Sequence, residues 1–417
     1  MRSWVGKREL KIKVTISTNS TTNPMTNPMT NPITNPLAQT LLQFIGLIRE
    51  IDYNACVIEA LNKFPLREFD INRAKASGII ETENTEVAYA KWVSPKRTQI
   101  SSLARTYNSY SASKTVSKTI VIVPVLKDDG RDGDLDKLHY STVSSLNLLN
   151  TYLVLGYHNH ADKNSTPGSI DRDKLTNHRF ESESIRSQIQ DIIDYPKNAF
   201  HWNKQLLETR FEDILRQALD AYWKISDRTG VKIHPYIGMD DYQQSVIADL
   251  EAFEKNSLHK SQDDLDRLSN VGTLKYQVSG SKATFTIETD RGGCYPLVPE
   301  SLFWLTDRYV IQESRNSSKK PFLDLAEIQE ALLKLIPYAS LHSLHLNGQA
   351  VQFSVRLKLT GFNVLSQVLL PANSDTIEAF FTTNLGILKE SDQRVIHLLN
   401  QEAEQNDRLE ISIGGNG

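Results

Sequence analysis

Glu313 and Arg315 stand two residues apart in Arg308-Tyr309-Val310-Ile311-Gln312-Glu313-Ser314-Arg315-Asn316, a run that predicts a strand ending in polar side chains. Residues two apart on a strand face the same way, so a carboxylate and a guanidinium share one side near its end. That pair suits phosphodiester hydrolysis: the carboxylate can hold Mg²⁺, and the cation can meet the charge building on a pentavalent phosphorus. The same spacing also makes an ordinary surface ion pair, so the surroundings decide between the two. Asp128, Asp129, Asp132, Asp134 and Asp136 crowd into nine residues, and Asp128, Asp129 and Asp134 form a second candidate cation site. This is not an EF-hand, because Lys137 and Val143 stand where that loop needs its Gly and its bidentate Glu. Lys91, Lys96, Arg97, Arg105, Lys114 and Lys118 lie in a stretch without an acid, among Trp92, Tyr107, Tyr110 and many hydroxyls. Such a stretch can contact DNA phosphates, the other reading being a solvated basic face. His158 and His160 alternate along a predicted strand and could share a metal with His178 or His201, although no Cys and no H-x-x-x-H helix supports it.

The elements that must position these groups follow from periodicity. Leu41, Phe44, Ile45 and Ile48 recur at helical spacing and predict a first amphipathic helix. Thr119 to Leu126 is a β-branched run that reads as a buried strand leading into the Asp cluster, and Tyr152 to His160 reads as another strand. From Glu181 to Asn270 the pattern is helical, with Phe211, Ile214, Leu215, Ala218, Leu219 and Tyr222 on one face, then Tyr242, Val246, Ile247, Leu250 and Phe253 on another. Residues 273–361 read as β-β-β-α-β, the helix being capped by Asp324 with Glu327 three residues on, and striped by Leu325, Ile328, Leu332, Leu335 and Ile336.

A chain of 417 residues has ample length for two or three domains. Thr22-Asn23-Pro24-Met25 and the three similar tetrapeptides after it make residues 1–36 a predicted disordered leader, and Met25 or Met29 could be the true start. Residues 37–260 then form an α/β and helical domain that contacts DNA, and residues 271–417 the domain that carries chemistry. Cys56 and Cys294 are too few and too far apart for a disulfide framework or a cysteine zinc site. No apolar run approaches a membrane span and no signal-like segment is seen, so a cytoplasmic protein without a membrane partner is expected. With a net charge of -3, any nucleic-acid surface must be local.

The block from Tyr309 to Ser317, a polar loop and an amphipathic helix ending Lys334-Leu335-Ile336 resembles the E-x-K strand and following helix of PD-(D/E)XK restriction endonucleases. The segment from Ile120 to Asp136, with Tyr140 and Thr142, also resembles a stretch of bacterial type II restriction endonucleases. The two cover about a third of the chain. The resemblance implies an α/β (α+β) fold, a mixed β-sheet flanked by helices with a restriction-endonuclease-like core, plus the helical segment. It implies a site-specific, Mg²⁺-dependent endonuclease acting on double-stranded DNA as a homodimer. A cognate DNA methyltransferase would belong to the same system without being a physical partner. Glu313 then matches the motif carboxylate, and Arg315 stands at the lysine position. Arginine does not shuttle protons, so Lys319, Lys320 and Lys334 are the lysines that could replace it. For the acid paired with Glu313, Asp290 is preferred, then Asp307, with Glu288 and Glu300 behind them. Two other readings stand beside this one: a catalytically impaired DNA-binding protein of the same fold, and an interaction protein stabilised by a metal at the Asp128 cluster.

Overall fold

The computed structural model describes residues 42–58, 61–95, 107, 110, 116–164, 173–236, 238–258, 276–278, 281–290, 293–297 and 299–415. The expected leader, Lys96, Arg97, Arg105 and Lys114, and most of the polar stretch 257–270 lie outside them. The chain is a mixed α/β protein with two lobes, each built on its own five-stranded sheet.

The first lobe has strand order Lys63–Pro65, Ser77–Glu81, Glu86–Lys91, Val116–Pro124, Tyr152–Gly156. The last three of these run parallel. Within Val116–Pro124, Ile120 and Ile122 face one core with Ile185, Ile189 and Ile192, while Val121 and Val123 face another with Leu215, Tyr222 and Leu250. A strand covered on both faces has no polar alternation to show, which is why the sequence there is a continuous apolar run. The covering helices, Ser182–Ile193, Ala199–Thr209, Phe211–Thr229 and Met239–Leu258, fall in the stretch predicted to be helical.

The second lobe has strand order Ser301–Leu305, Arg308–Asn316, Phe353–Gly361, Leu409–Gly415, Val368–Leu370. The central three are parallel and the edges antiparallel. The helix Leu325–Ala339 lies between two of the parallel strands in sequence and packs Ile328, Leu332, Leu335 and Ile336 into one core with Ile311, Val355 and Ile411. Its start is the expected one: the Glu327 carboxylate accepts the Asp324 N–H at 3.1 Å.

Two expectations are corrected. Leu42–Ile48 is a strand, not a helix, with Phe44, Gly46 and Ile48 buried in alternation. It pairs in parallel with Ser281–Thr289 and antiparallel with Ser343–Leu346, so both of its edges are used and period two prevails over the helical match. Gly46 permits this approach, since a Cβ there would lie 2.5 Å from Leu341 Cδ2. Although expected with residues 37–260, this strand therefore belongs to a second sheet that packs in the core of the C-terminal lobe. The predicted strand from Tyr152 to His160 also divides: Tyr152–Gly156 stays in the main sheet, while His158–Lys163 pairs with Leu175–Phe180.

Candidate active site

Glu313 lies toward the carboxyl end of Arg308–Asn316, where open α/β sheets present their ligands. It is 4% exposed and lies on the helix side of the strand; Arg315, half-buried, lies on the same side. Across from them Glu330 and Lys334, one helical turn apart, share a face of Leu325–Ala339. Lys334 Nζ is 3.3 Å from Glu313 Oε2, and Arg315 Nη1 is 3.7 Å from the same oxygen. The Glu300 N–H donates to Glu313 Oε1 at 3.3 Å, while the Glu300 carboxylate accepts the Ser314 N–H at 2.6 Å. Burial pushes the Glu313 carboxyl above its usual range; Lys334 opposes this, Glu300 adds to it, and Arg315 again opposes it. Arg315 is turned elsewhere, donating to the Ser314 carbonyl at 2.9 Å and to Glu330 Oε1 at 3.3 Å.

The site is thus a buried carboxylate with an exposed second acid, Glu300, on one side and a lysine on the other. The two acids preferred from the sequence do not join it. Asp307 sits at the hairpin tip, six residues or about 20 Å of strand from Glu313. There its largely exposed carboxylate pairs with Arg308 at 3.6 Å. Asp290 is exposed at the end of Ser281–Thr289, in the other sheet of that lobe, and its N–H donates to the Ile48 carbonyl at 3.3 Å. Of the three lysines considered, Lys334 reaches Glu313, and Lys320 is committed to Asp324 at 2.7 Å.

The Asp128 cluster is also built differently from a cation site. Asp128 is fully buried, and both its oxygens are engaged: Oδ1 accepts from Gly130 N and His234 Nδ1, and Oδ2 from His234 N and the Tyr236 hydroxyl. Asp129 Oδ1 instead faces Lys127 Nζ at 2.8 Å and His178 Nε2 at 3.7 Å, while Asp134 gives its carbonyl to Asp129 N. These carboxylates do not converge. His158 packs against His178, with centroids 5.1 Å apart, and burial pushes its imidazole well below the usual range, His178 and Lys127 adding to the effect. His160 turns to Asp162, and His201 to Tyr195 and Lys197, so the histidine grouping that the sequence left open is not assembled. Among the described residues no three His, Cys, Asp or Glu side chains are grouped to hold a metal. His234 and Tyr236 had no signal in the sequence, where they fall in the stretch read as helical.

Two of the six basic residues expected at DNA are described, and both are spent inside the protein. Lys91 Nζ donates to the carbonyls of Ile71 and Ala74 at 2.8 and 2.7 Å. Lys118 Nζ donates to those of Ile192, Ile193 and Tyr195 at 2.5, 3.0 and 2.6 Å, closing the carboxyl end of the helix Ser182–Ile193. Lys118→Met should therefore cost about 2 kcal/mol in urea unfolding, the order of a charged hydrogen-bonded group lost, and should leave any DNA affinity that the wild type has within twofold. A selective loss of DNA binding at full stability would return Lys118 to the DNA surface.

Comparisons of the chain with protein families, with curated proteins and with solved structures find no match. The resemblance to restriction endonucleases therefore rests on the motif residues alone. No helix among the described residues is long and apolar enough to cross a membrane.

Proposed function

We propose that the protein is a Mg²⁺-dependent endonuclease of the type II restriction class, hydrolysing phosphodiester bonds of double-stranded DNA as a homodimer. The observation that carries this reading is the lysine found beside the motif carboxylate. Where the strand has Arg315 in place of the motif lysine, Lys334 brings a primary ammonium within 3.3 Å of buried Glu313 from the helix. Glu313 and Glu300 fit Mg²⁺ in the way that ion is usually bound, by one or two carboxylates with water and phosphate oxygens completing the shell. When bound, the ion would polarise the phosphate and acidify a water. The protein's own groups do the rest. Glu300, anchored by the Ser314 N–H, sets the second carboxylate at the mouth of the site. Lys334 offsets the charge of Glu313 when substrate is absent and meets the phosphate oxygens when it is present. Arg315, held by Glu330, acts as a fixed positive charge behind them.

The test is incubation of the full chain with unmethylated phage DNA of known sequence in Mg²⁺ and in EDTA. Discrete fragments that need Mg²⁺ support the reading and give the recognition site. Intact DNA in both Mg²⁺ and Mn²⁺, with binding retained, would overturn it in favour of the impaired DNA-binding protein, to which the tethering of Arg315 already lends weight.

A further inference from the structure

In the first lobe, remote in fold from Glu313, the network around Asp128 engages one ring nitrogen of His234 and leaves the other without a partner among the described residues. Gly130 N, His234 N and the Tyr236 hydroxyl donate to the Asp128 carboxylate at 2.8, 3.0 and 3.0 Å. Burial first, then Asp128 itself, pushes the Tyr236 phenol above its usual range, so it stays a donor. With three donors already present, the carboxylate also takes the Nδ1 proton of His234, 2.8 Å away. The proton on Nδ1 is then fixed, and in the neutral ring Nε2 is the nitrogen that carries the lone pair. The His234 side chain is 25% exposed, and among the described residues Nε2 has no hydrogen-bond partner. The Tyr236 ring that completes the network meets Trp223 edge to face, with centroids 6.1 Å apart, and the Trp223 indole is 54% exposed. Lys224, beside Trp223, and Lys232, two residues before His234, are exposed as well. An acceptor of fixed tautomer, an open aromatic face and flanking cations are what a base, its ring N–H and its phosphate require.

We propose that His234 and Trp223 form a binding site for an unpaired nucleobase that carries a ring N–H, such as thymine or guanine. The base stacks on the indole and donates its N–H to His234 Nε2. In duplex DNA that N–H is occupied by base pairing, so the ligand is single-stranded or extruded from the helix. The site does not rest on the Glu313 reading, since it lies in another lobe and needs neither metal nor cleavage.

The experiment measures binding of the full chain, in EDTA, to fluorescent octamers of thymidylate and of N3-methylthymidylate. Wild type should prefer the first by about tenfold, the order of one good base hydrogen bond. His234→Ala should bring that ratio close to one while leaving affinity for the methylated octamer in place, because stacking persists. Trp223→Ala should weaken both octamers alike. Asp128→Asn, which frees the tautomer, should reduce the ratio, and the nitrogen shift of His234 in a ¹⁵N-histidine spectrum should report loss of the lone-pair-bearing Nε2. Equal wild-type binding of the two octamers, no binding of either, or a preference that survives His234→Ala would each overturn the proposal and leave the network a latch for the loop 231–236.

Discussion

Replacing Glu313 with glutamine is expected to lower Mg²⁺-dependent DNA cleavage by about a thousandfold, the order seen when a charge-handling group is removed from a reacting centre. Glutamine keeps the shape and can still accept the Glu300 N–H, but it offers a cation no charge. The variant should stay folded, because the wild-type carboxylate is buried and ionises against a burial penalty that Lys334 offsets only in part. A carboxyl whose folded pKa lies above its unfolded value contributes stability that is present below the unfolded value and lost as pH rises through the folded one. Glutamine does not titrate, so the stability of Glu313→Gln relative to wild type should increase as pH rises from below the ordinary glutamate value of about 4.3 to neutrality. Urea unfolding at several pH values measures that difference. Cleavage follows the same group in the opposite sense, since only the ionised carboxylate binds the cation. The rising limb of the wild-type pH profile should therefore lie above the ordinary carboxylate range. Lys334→Met removes the main charge favouring ionisation and should move that limb further up. A limb at the ordinary position, unmoved by Lys334→Met, would mean that another group titrates.

How far the sequence led differs from element to element for physical reasons. Val116–Pro124 and the helix Leu325–Ala339 are legible because local pattern and tertiary role agree: the β-branched stretch Thr119 to Val123 for the part of the strand covered on both faces, and a capped apolar stripe for a helix on one. Leu42–Ile48 was misread because seven residues of mixed apolar type match both periods, and only its two flanking strands, one from residues 281–289 and one from 343–346, settle the matter. At the candidate site Glu313 stands out by motif, while its partners Lys334 and Glu300 appear in the sequence only among several lysines and acids of lower rank. Glu300 approaches from the antiparallel neighbour through main-chain hydrogen bonds, and Lys334 from a helix 21 residues away. Asp307 and Asp290 looked better only because separation along a sequence says little about which strand end a residue occupies. The basic stretch shows the converse failure. Lys91 and Lys118 count as positive charge in a sequence, but hydrogen bonds to carbonyls on their own lobe turn them into caps.

Glu402 gave no sign at all, and its replacement by alanine is expected to have the largest effect on stability of any change considered. In Gln401-Glu402-Ala403-Glu404 it reads as one more charge on a solvated helix, yet it lies three residues after Leu399, on the inward face of Glu390–Gln405, and is fully buried. Its Oε1 accepts the Tyr53 hydroxyl at 2.5 Å; its Oε2 accepts Cys56 N and Val57 N at 3.0 Å each, and the Tyr107 hydroxyl. Burial pushes both phenols well above their usual range, so both remain donors. Residues 53–57 join the strand Leu42–Ile48 of one lobe to Lys63–Pro65 of the other, and this carboxylate binds that connection to the C-terminal lobe. Asn406 reinforces it by bonding Asn54 N and O, and Gln329 by donating to the Val57 carbonyl. Alanine would leave three buried donors and the half-buried Cys56 N–H without an acceptor, at roughly 1–3 kcal/mol each, so a loss of about 4 kcal/mol or more is expected. Glutamine retains one carbonyl oxygen but sets an NH₂ against donors, and should recover less than half of that. Tyr53→Phe takes the donor away from Glu402 Oε1 and should cost about 2 kcal/mol. Thermal and urea unfolding of the three variants measure the series. Near-equal stability of Glu402→Ala and wild type would show that the connection is held by its apolar contacts, with Val57 and Tyr107 in the core, and not by the carboxylate.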